Sequence, residues 1–161
     1  MRLLSLGVAM VLAADGGSSA SDPFEKMKTL VGEWEADLPG FGRITSSIRL
    51  VSKGTALEET LGTPADNEIS LYTLSDSRVL LTHVCALTPD GHVVRLRTPP
   101  LGADPRVLKF LPLDSSNLHT PDAPHMRRVV VTFIDGDHFS EEWTKTERGK
   151  DTVFELKFVR R

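Results

Sequence analysis

The chain has 161 residues, of which 40% are hydrophobic and 25% charged, and it contains one cysteine. This composition is that of one globular domain, and it excludes a long disordered chain, a coiled coil and a second full domain. Nineteen lysines and arginines against 22 aspartates and glutamates give a net charge of −3. We therefore expect neither a nucleic-acid partner nor attraction to an anionic membrane surface.

The N-terminus has the pattern of a secretory signal peptide. Arg2 precedes an apolar run, and small residues follow that run. The run is about a dozen residues long, whereas a spanning helix needs about 20, so a cleaved leader is favoured over a membrane span. Cleavage sites after Ala13 and after Ala20 both fit. We predict a signal peptide over residues 1–20, one domain over residues 21–161, and export to the periplasm or the extracellular space.

Helical character in the rest of the chain is confined to residues 22–30. Asp22 is followed by a proline at the first helical position, and Phe24, Met27 and Leu30 recur at three-residue spacing. Proline is favoured at the first position of a helix, and this spacing places the apolar residues on one face. The pattern predicts a helix of two turns at most.

Beyond this helix, apolar and polar residues alternate with period two between turn residues, which is typical of strands. Ten strands are predicted over residues 31–38, 43–51, 56–61, 68–74, 79–87, 92–98, 106–113, 127–135, 137–145 and 152–160. Short connections favour an antiparallel meander, and closure into a barrel removes its two exposed edges. We predict an all-β fold, a single up-and-down antiparallel barrel, with a two-sheet sandwich as the alternative.

Two kinds of connection stand out in this pattern. Asp135-Gly136 and Arg148-Gly149 predict tight hairpins, because glycine readily adopts the positive φ that such turns need. The segment over residues 114–126 is the longest irregular stretch. Loops of this length often cover the mouth of a barrel, and a solvated surface loop is the alternative.

The stretch from Leu30 to Trp34 contains a Gly-x-Trp sequence at the head of the first strand. Together with the preceding helical turn, it resembles the opening of lipocalins and related calycins. The resemblance implies that the tryptophan lies at the closed end of a barrel beneath an arginine from the last strand. Gly32, Trp34 and Arg160 are the matching residues in this chain. Nitrobindin-like haem barrels have a similar plan, but their haem-ligand motif has no match here, and we expect no cofactor.

A second resemblance, over residues 24–160, is to secreted bacterial lipocalin-like proteins of unknown function. The loop over residues 87–91 departs from the Asn-Gln-Pro sequence common in that family. The stretches that carry the resemblance are Ser70-Leu-Tyr-Thr-Leu74, Leu80-Leu-Thr-His-Val-Cys-Ala86, Leu113-Asp-Ser-Ser-Asn117, His125-Met126, Asp137-His138 and Glu142-Trp143.

Several polar residues are candidates for a binding site. An unpaired thiol in an oxidising compartment is tolerated when it is buried, so Cys85 is predicted to face the interior. His83 shares its face because it lies two residues away on the same strand. A buried histidine needs hydrogen-bond partners, and other polar residues on neighbouring or later strands are available. The predicted ligand-binding residues are Tyr72, His83, Cys85, His125, His138 and Glu142.

This cluster has three possible roles: a hydrogen-bond network, a contact with a ligand's head group, or a metal site. The metal pattern is weak because no two of the histidines are close in sequence, and the identity of any metal is left open. His83 and Cys85 lie about 6.6 Å apart along a strand, too far for a catalytic dyad. Glu58 and Glu59 point to opposite faces, so one of them can face inward, but no second carboxylate at matching depth is evident for acid–base chemistry.

No nucleophile elbow, phosphate-binding glycine loop or Cys-x-x-Cys motif is present in the sequence. We therefore expect a protein that is not an enzyme. The predicted function is noncatalytic binding of a small hydrophobic or amphipathic molecule by a monomer or weak homodimer. The alternatives are a metal-dependent or enzymatic site at His83, His125 and His138, and a barrel with a filled interior and a structural or interaction role.

Overall fold

The computed structural model describes residues 22–100, 104–120 and 122–161. The predicted signal peptide over residues 1–20 lies outside these described residues. Within them, no helix is long and apolar enough to cross a membrane. The elements in chain order are α1 (Pro23–Lys28), β1 (Gly32–Leu38), β2 (Gly42–Val51), β3 (Ala56–Thr63), β4 (Asp66–Ser75), β5 (Arg78–Cys85), β6 (His92–Arg97), β7 (Val107–Ser116), β8 (His125–Phe133), β9 (His138–Glu147) and β10 (Lys150–Arg160), with a 3-10 turn at Ser52–Gly54.

The ten strands form one closed antiparallel barrel, in which each strand pairs with the next and β10 returns to pair with β1. At this seam Trp34 faces Arg160 and Glu35 faces Val159. The all-β barrel prediction is therefore confirmed, and the alternative of a two-sheet sandwich is wrong. Closure satisfies the backbone hydrogen-bonding groups that two free edge strands would leave open.

The loop predicted over residues 114–126 is shorter in the structure, because the strands on both sides of it are longer than predicted. β7 continues to Ser116, and β8 begins at His125, so the irregular connection covers residues 117–124. Ser116 faces Val93 across the β6–β7 pair, and Asp114 forms an ion pair with Arg95. Pairing with a neighbouring strand thus overrides the polar composition from which a loop was predicted.

The two predicted tight hairpins differ from each other in the structure. Arg148 and Gly149 have φ values of 50° and 70°, which confirms a two-residue turn with two positive φ angles. Gly136 does not have a positive φ, so that part of the prediction is wrong. Here the Asp135 carboxylate accepts a hydrogen bond of 2.8 Å from the amide of Asp137, and this side chain closes the turn instead.

One end of the barrel is closed by α1, and we call it the helix end. Asp22 caps the helix by accepting a hydrogen bond of 2.9 Å from the amide of Phe24. Phe24 and Met27 are buried in the core. At the opposite end, which we call the distal end, β5 finishes at Cys85 and β6 begins at His92.

The helix end holds Gly32, Trp34 and Arg160 together. The Arg160 guanidinium lies 3.9 Å from the centroid of the Trp34 ring. It donates hydrogen bonds of 3.0 to 3.2 Å to the carbonyl oxygens of Val31, Thr29 and Gly136. Gly32 has a φ of +145°, and a Cβ there would lie 2.4 Å from Arg160 Nη1. A glycine is therefore needed for the arginine to approach this closely.

Candidate functional site

The middle of the barrel contains a group of buried polar side chains, which we call the inner polar cluster: Ser46, Glu59, Tyr72 and Glu141. Glu59 accepts hydrogen bonds from Ser46 Oγ at 2.6 Å and from the Tyr72 hydroxyl at 2.8 Å. Glu141 accepts one of 2.9 Å from Trp143 Nε1. Each carboxyl group in the core therefore has at least one hydrogen-bond partner, as buried polar groups require.

Burial raises the pKa of both carboxyl groups, because the charged form loses its hydration. For Glu59 the hydrogen bonds from Ser46 and Tyr72 oppose this effect, whereas the charge of Glu59 raises the pKa of Glu141 further. Burial and the charge of Glu59 also raise the pKa of the Tyr72 hydroxyl. The negative charge of the pair is thus held mainly on Glu59, and Glu141 keeps its proton to higher pH.

Glu59 is the inward-facing member of the Glu58-Glu59 pair, and Glu141 is the second buried carboxyl group that the sequence did not reveal. Glu58 points outward and forms an ion pair of 2.6 Å with Arg49. Glu59 and Glu141 are only 0% and 1% exposed, so a substrate would have to enter the core to reach them. Their arrangement is that of a satisfied hydrogen-bond network in the interior.

Towards the distal end, Glu68, His83 and Cys85 lie together on the inner face of β4 and β5. One ligand atom from each lies within 4.8 Å of the others. His83 Nδ1 is 3.0 Å from Ser70 Oγ, and the centroid of the His83 ring lies 4.6 Å from that of the Trp143 ring. His83 Nε2 is buried and has no hydrogen-bond partner among the residues that the structure describes; Glu68 Oε2 lies 3.4 Å from it.

Cys85 is 4% exposed, so the prediction that it faces the interior is confirmed. Burial, followed by the charge of Glu68, raises the pKa of its thiol from 9.0 to about 12. The thiol is therefore protonated at neutral pH. A nucleophilic cysteine needs the thiolate form, so this environment does not activate Cys85 for catalysis.

Two further histidines lie at the distal end. His92 faces Cys85 across the β5–β6 pair, and its ring centroid is 6.3 Å from that of His125. His92 Nδ1 is 3.2 Å from the Ser116 carbonyl oxygen, and His125 Nδ1 is 2.9 Å from the Ala123 carbonyl oxygen. His92 Nε2 is buried, and no hydrogen-bond partner for it lies within residues 22–100, 104–120 and 122–161. Burial lowers the pKa of this imidazole.

The structure brings some of the predicted site residues together and separates others. Tyr72, His83 and Cys85 line the interior, and His125 is half-buried at the distal end. His138 is not part of this group, because it begins β9 at the helix end, where it is exposed and bonded to Asp135 at 2.8 Å.

Glu142 also lies outside the interior, away from the other predicted ligand-binding residues. Its side chain lies on the outer face of β9 and forms an ion pair of 2.6 Å with Arg128. The buried residue is its neighbour Glu141, which shares the inner face with Phe139 and Trp143. The alternation of two aromatic residues with this glutamate was the signal that could have identified the correct face.

Glu68 and His92 were missed for a different reason. Glu68 shares the parity of Ser70 and Tyr72 on β4, and His92 shares that of Val94 and Leu96 on β6. Parity alone places them on the inner face. The register between strands places Glu68 and His92 beside Cys85, and the alternation of residues within one strand does not predict that register.

Comparison with known proteins gives no family assignment for this chain. No protein-family model matches it, and no curated protein matches it at a significant level.

Proposed function

We propose that this protein is an exported, lipocalin-like barrel that binds one small amphipathic molecule at its distal end without changing it chemically. The observation that carries this proposal is the buried Nε2 atom of His92, which has no partner in the described part of the chain. A buried polar atom without a partner costs about 1 to 3 kcal/mol. A bound molecule that supplies the missing hydrogen bond removes this cost.

The chemistry of His92 defines the head group. The Ser116 carbonyl oxygen only accepts hydrogen bonds, so His92 Nδ1 carries the hydrogen. The lowered pKa keeps the ring neutral at pH 7, which leaves a lone pair on Nε2. The complementary head group is therefore a hydrogen-bond donor, such as a hydroxyl or an amine.

The apolar part of the molecule would lie against the distal half of the interior. Ile44, Leu61 and Met126 are buried inward-facing residues near that end. Aromatic side chains already fill the helix end: the centroid of the Phe139 ring lies 4.7 Å from that of Trp34 and 4.6 Å from that of Phe158. The proposed molecule would therefore lie in the distal half of the barrel, against Ile44, Leu61 and Met126.

Three further features support the remaining parts of the proposal. The packing of Arg160 on Trp34 supports the likeness to lipocalins. The protonated thiol of Cys85 and the burial of Glu59 and Glu141 support a noncatalytic role. Export, with cleavage after Ala13 or Ala20, stays a prediction from the leader pattern, and so does a monomer or weak homodimer.

Native mass spectrometry of the protein purified from its own host tests both binding and export. We expect a copurifying mass of lipid size that is lost on denaturation, and a chain that lacks the residues before one of the two cleavage sites. A bare chain would instead support a filled barrel with an interaction role. An uncleaved chain recovered from the cytoplasm would contradict export.

A titration with 1-dodecanol, followed by tryptophan fluorescence, tests the head-group contact directly. We expect His92→Leu to weaken binding about tenfold, the equivalent of one hydrogen bond of roughly 1.4 kcal/mol. His138→Leu is the matched control, because His138 is exposed at the helix end. Equal affinities for the two variants, or no binding by the unmodified protein, would overturn the proposed site.

A further inference from the structure

The geometry of β4 and β5 brings three metal-binding side chains to one place. Ile69 faces Val84 in this antiparallel pair, so Glu68 and Cys85 are the next residues opposite each other. Ser70 faces His83 on the same inner surface. One ligand atom each from Glu68, His83 and Cys85 lies within 4.8 Å of the other two.

The orientation of His83 supplies a second, independent observation. Its side chain is completely buried, and no described residue gives Nε2 a hydrogen bond, although Glu68 Oε2 lies 3.4 Å from it. The other ring nitrogen, Nδ1, is held by Ser70 Oγ at 3.0 Å. Metal-binding histidines are commonly oriented in this way, with one nitrogen held by a neighbouring group and the other free to coordinate.

We propose that Glu68, His83 and Cys85 form a binding site for a transition-metal ion, with Zn²⁺ as the best match to the donor set. Thiolate and imidazole ligands favour Zn²⁺ over Mg²⁺ and Ca²⁺, which prefer oxygen ligands. In a tetrahedral site with zinc–ligand bonds of about 2.0 to 2.3 Å, two ligand atoms lie about 3.3 to 3.8 Å apart. His83 Nε2 and Glu68 Oε2, at 3.4 Å, already lie in this range. The three ligand atoms lie within 4.8 Å of one another, so a movement on the order of 1 Å brings them around one ion.

Access and proton balance are consistent with this site. The Glu68 side chain is 30% exposed, so an ion can reach the site from the distal end. On binding, the Cys85 sulfur forms a bond to the metal and releases its proton to solvent. Three protein ligands leave a fourth position for water or another small ligand. The site uses His83 rather than His92, and it does not depend on the proposed amphipathic molecule.

Cobalt titration of the full chain, after removal of metals with a chelator, tests this inference. We expect one Co²⁺ per chain and a thiolate-to-cobalt charge-transfer band that Zn²⁺ abolishes by displacement. Cys85 is the only cysteine of the chain, so this band by itself identifies the sulfur ligand. The result thus remains decisive even if variants at position 85 fail to fold.

Two substitutions and one control refine the assignment. Cys85→Ser should abolish the charge-transfer band, and Glu68→Gln should weaken Co²⁺ binding at least about tenfold, as for loss of a metal-supporting group. Glu58→Gln is the matched control, because Glu58 faces outward and pairs with Arg49. Absence of the band, or equal weakening by Glu68→Gln and Glu58→Gln, would overturn the proposed site.

Discussion

Glu141 shows how strongly the surroundings of a single residue control its charge in this protein. Its carboxyl group is buried, it accepts a hydrogen bond from Trp143, and it lies in the field of Glu59. Both burial and the neighbouring charge raise its pKa. Because the unfolded chain ionises this group at lower pH than the folded protein does, Glu141 makes stability depend on pH.

We expect Glu141→Gln to stabilise the protein at about pH 8 but not at about pH 4, with a gain in the free energy of unfolding on the order of 1 kcal/mol. The protonated Glu141 carboxyl group contributes to the free energy of unfolding. This contribution is fully present below 4.5, the pKa of the group in the unfolded chain, and it is lost as pH rises through the higher pKa of the folded protein. Glutamine keeps an acceptor for Trp143 and removes this dependence. Urea unfolding at the two pH values measures the difference.

Glu155→Gln is the control for this prediction, because Glu155 is exposed on β10. It should change the free energy of unfolding by less than about 0.5 kcal/mol at either pH. A loss of stability for Glu141→Gln at the higher pH would show that the folded protein favours the ionised carboxylate, and it would contradict the raised pKa of Glu141.

At the scale of secondary-structure elements, Arg160 joins three parts of the chain that are far apart in sequence. From the end of β10 it reaches the residues after α1, through Thr29 and Val31, and the β8–β9 connection at Gly136. It also covers the Trp34 ring on β1. This one side chain thereby fixes the helix and the barrel seam to each other.

Arg160→Met should lower the free energy of unfolding by about 2 to 3 kcal/mol, because three carbonyl oxygens lose a charged donor and Trp34 loses its cation. The adjacent Arg161→Met provides a close comparison. Arg161 is exposed and lies 3.5 Å from Glu35, and such a surface pair contributes less than about 1 kcal/mol. Urea denaturation compares the variants, and equal losses would contradict the role of Arg160.

At the scale of the whole molecule, the barrel is closed by backbone pairing around its full circumference. The two tryptophans lie at different levels of this barrel. Trp34 packs at the helix end beneath Arg160, whereas Trp143 packs against His83 towards the distal end. A continuous core connects them, so neither end can unfold alone without exposing apolar surface in the other.

We expect the protein to unfold as one cooperative unit. In the Trp34→Phe variant the tryptophan fluorescence comes from Trp143 alone, and in the Trp143→Phe variant it comes from Trp34 alone. For each variant, the urea midpoint by fluorescence should coincide with the midpoint by far-ultraviolet circular dichroism, as required of a two-state transition. A fluorescence midpoint that precedes the circular dichroism midpoint in one variant would show that its end of the barrel opens separately.

The sequence by itself determined the elements and much of their orientation. Alternation with period two defined ten strands, and the helical pattern from Asp22 to Leu30 placed α1, because side-chain periodicity is a local property of the backbone. Gly32, Trp34 and Arg160 were recognised from a resemblance, and they do lie together. The inward position of His83 and Cys85 followed from burial of the thiol and strand parity.

Only the tertiary structure decided which polar residues meet. Register across β4, β5 and β6 places Glu68, His83, Cys85 and His92 side by side, although no short motif joins them. Glu141 rather than Glu142 faces inward, and His138 is held at the helix end by its turn. Alignment between strands depends on closure of the whole barrel, because contacts distant in sequence set the register; local periodicity does not contain that information.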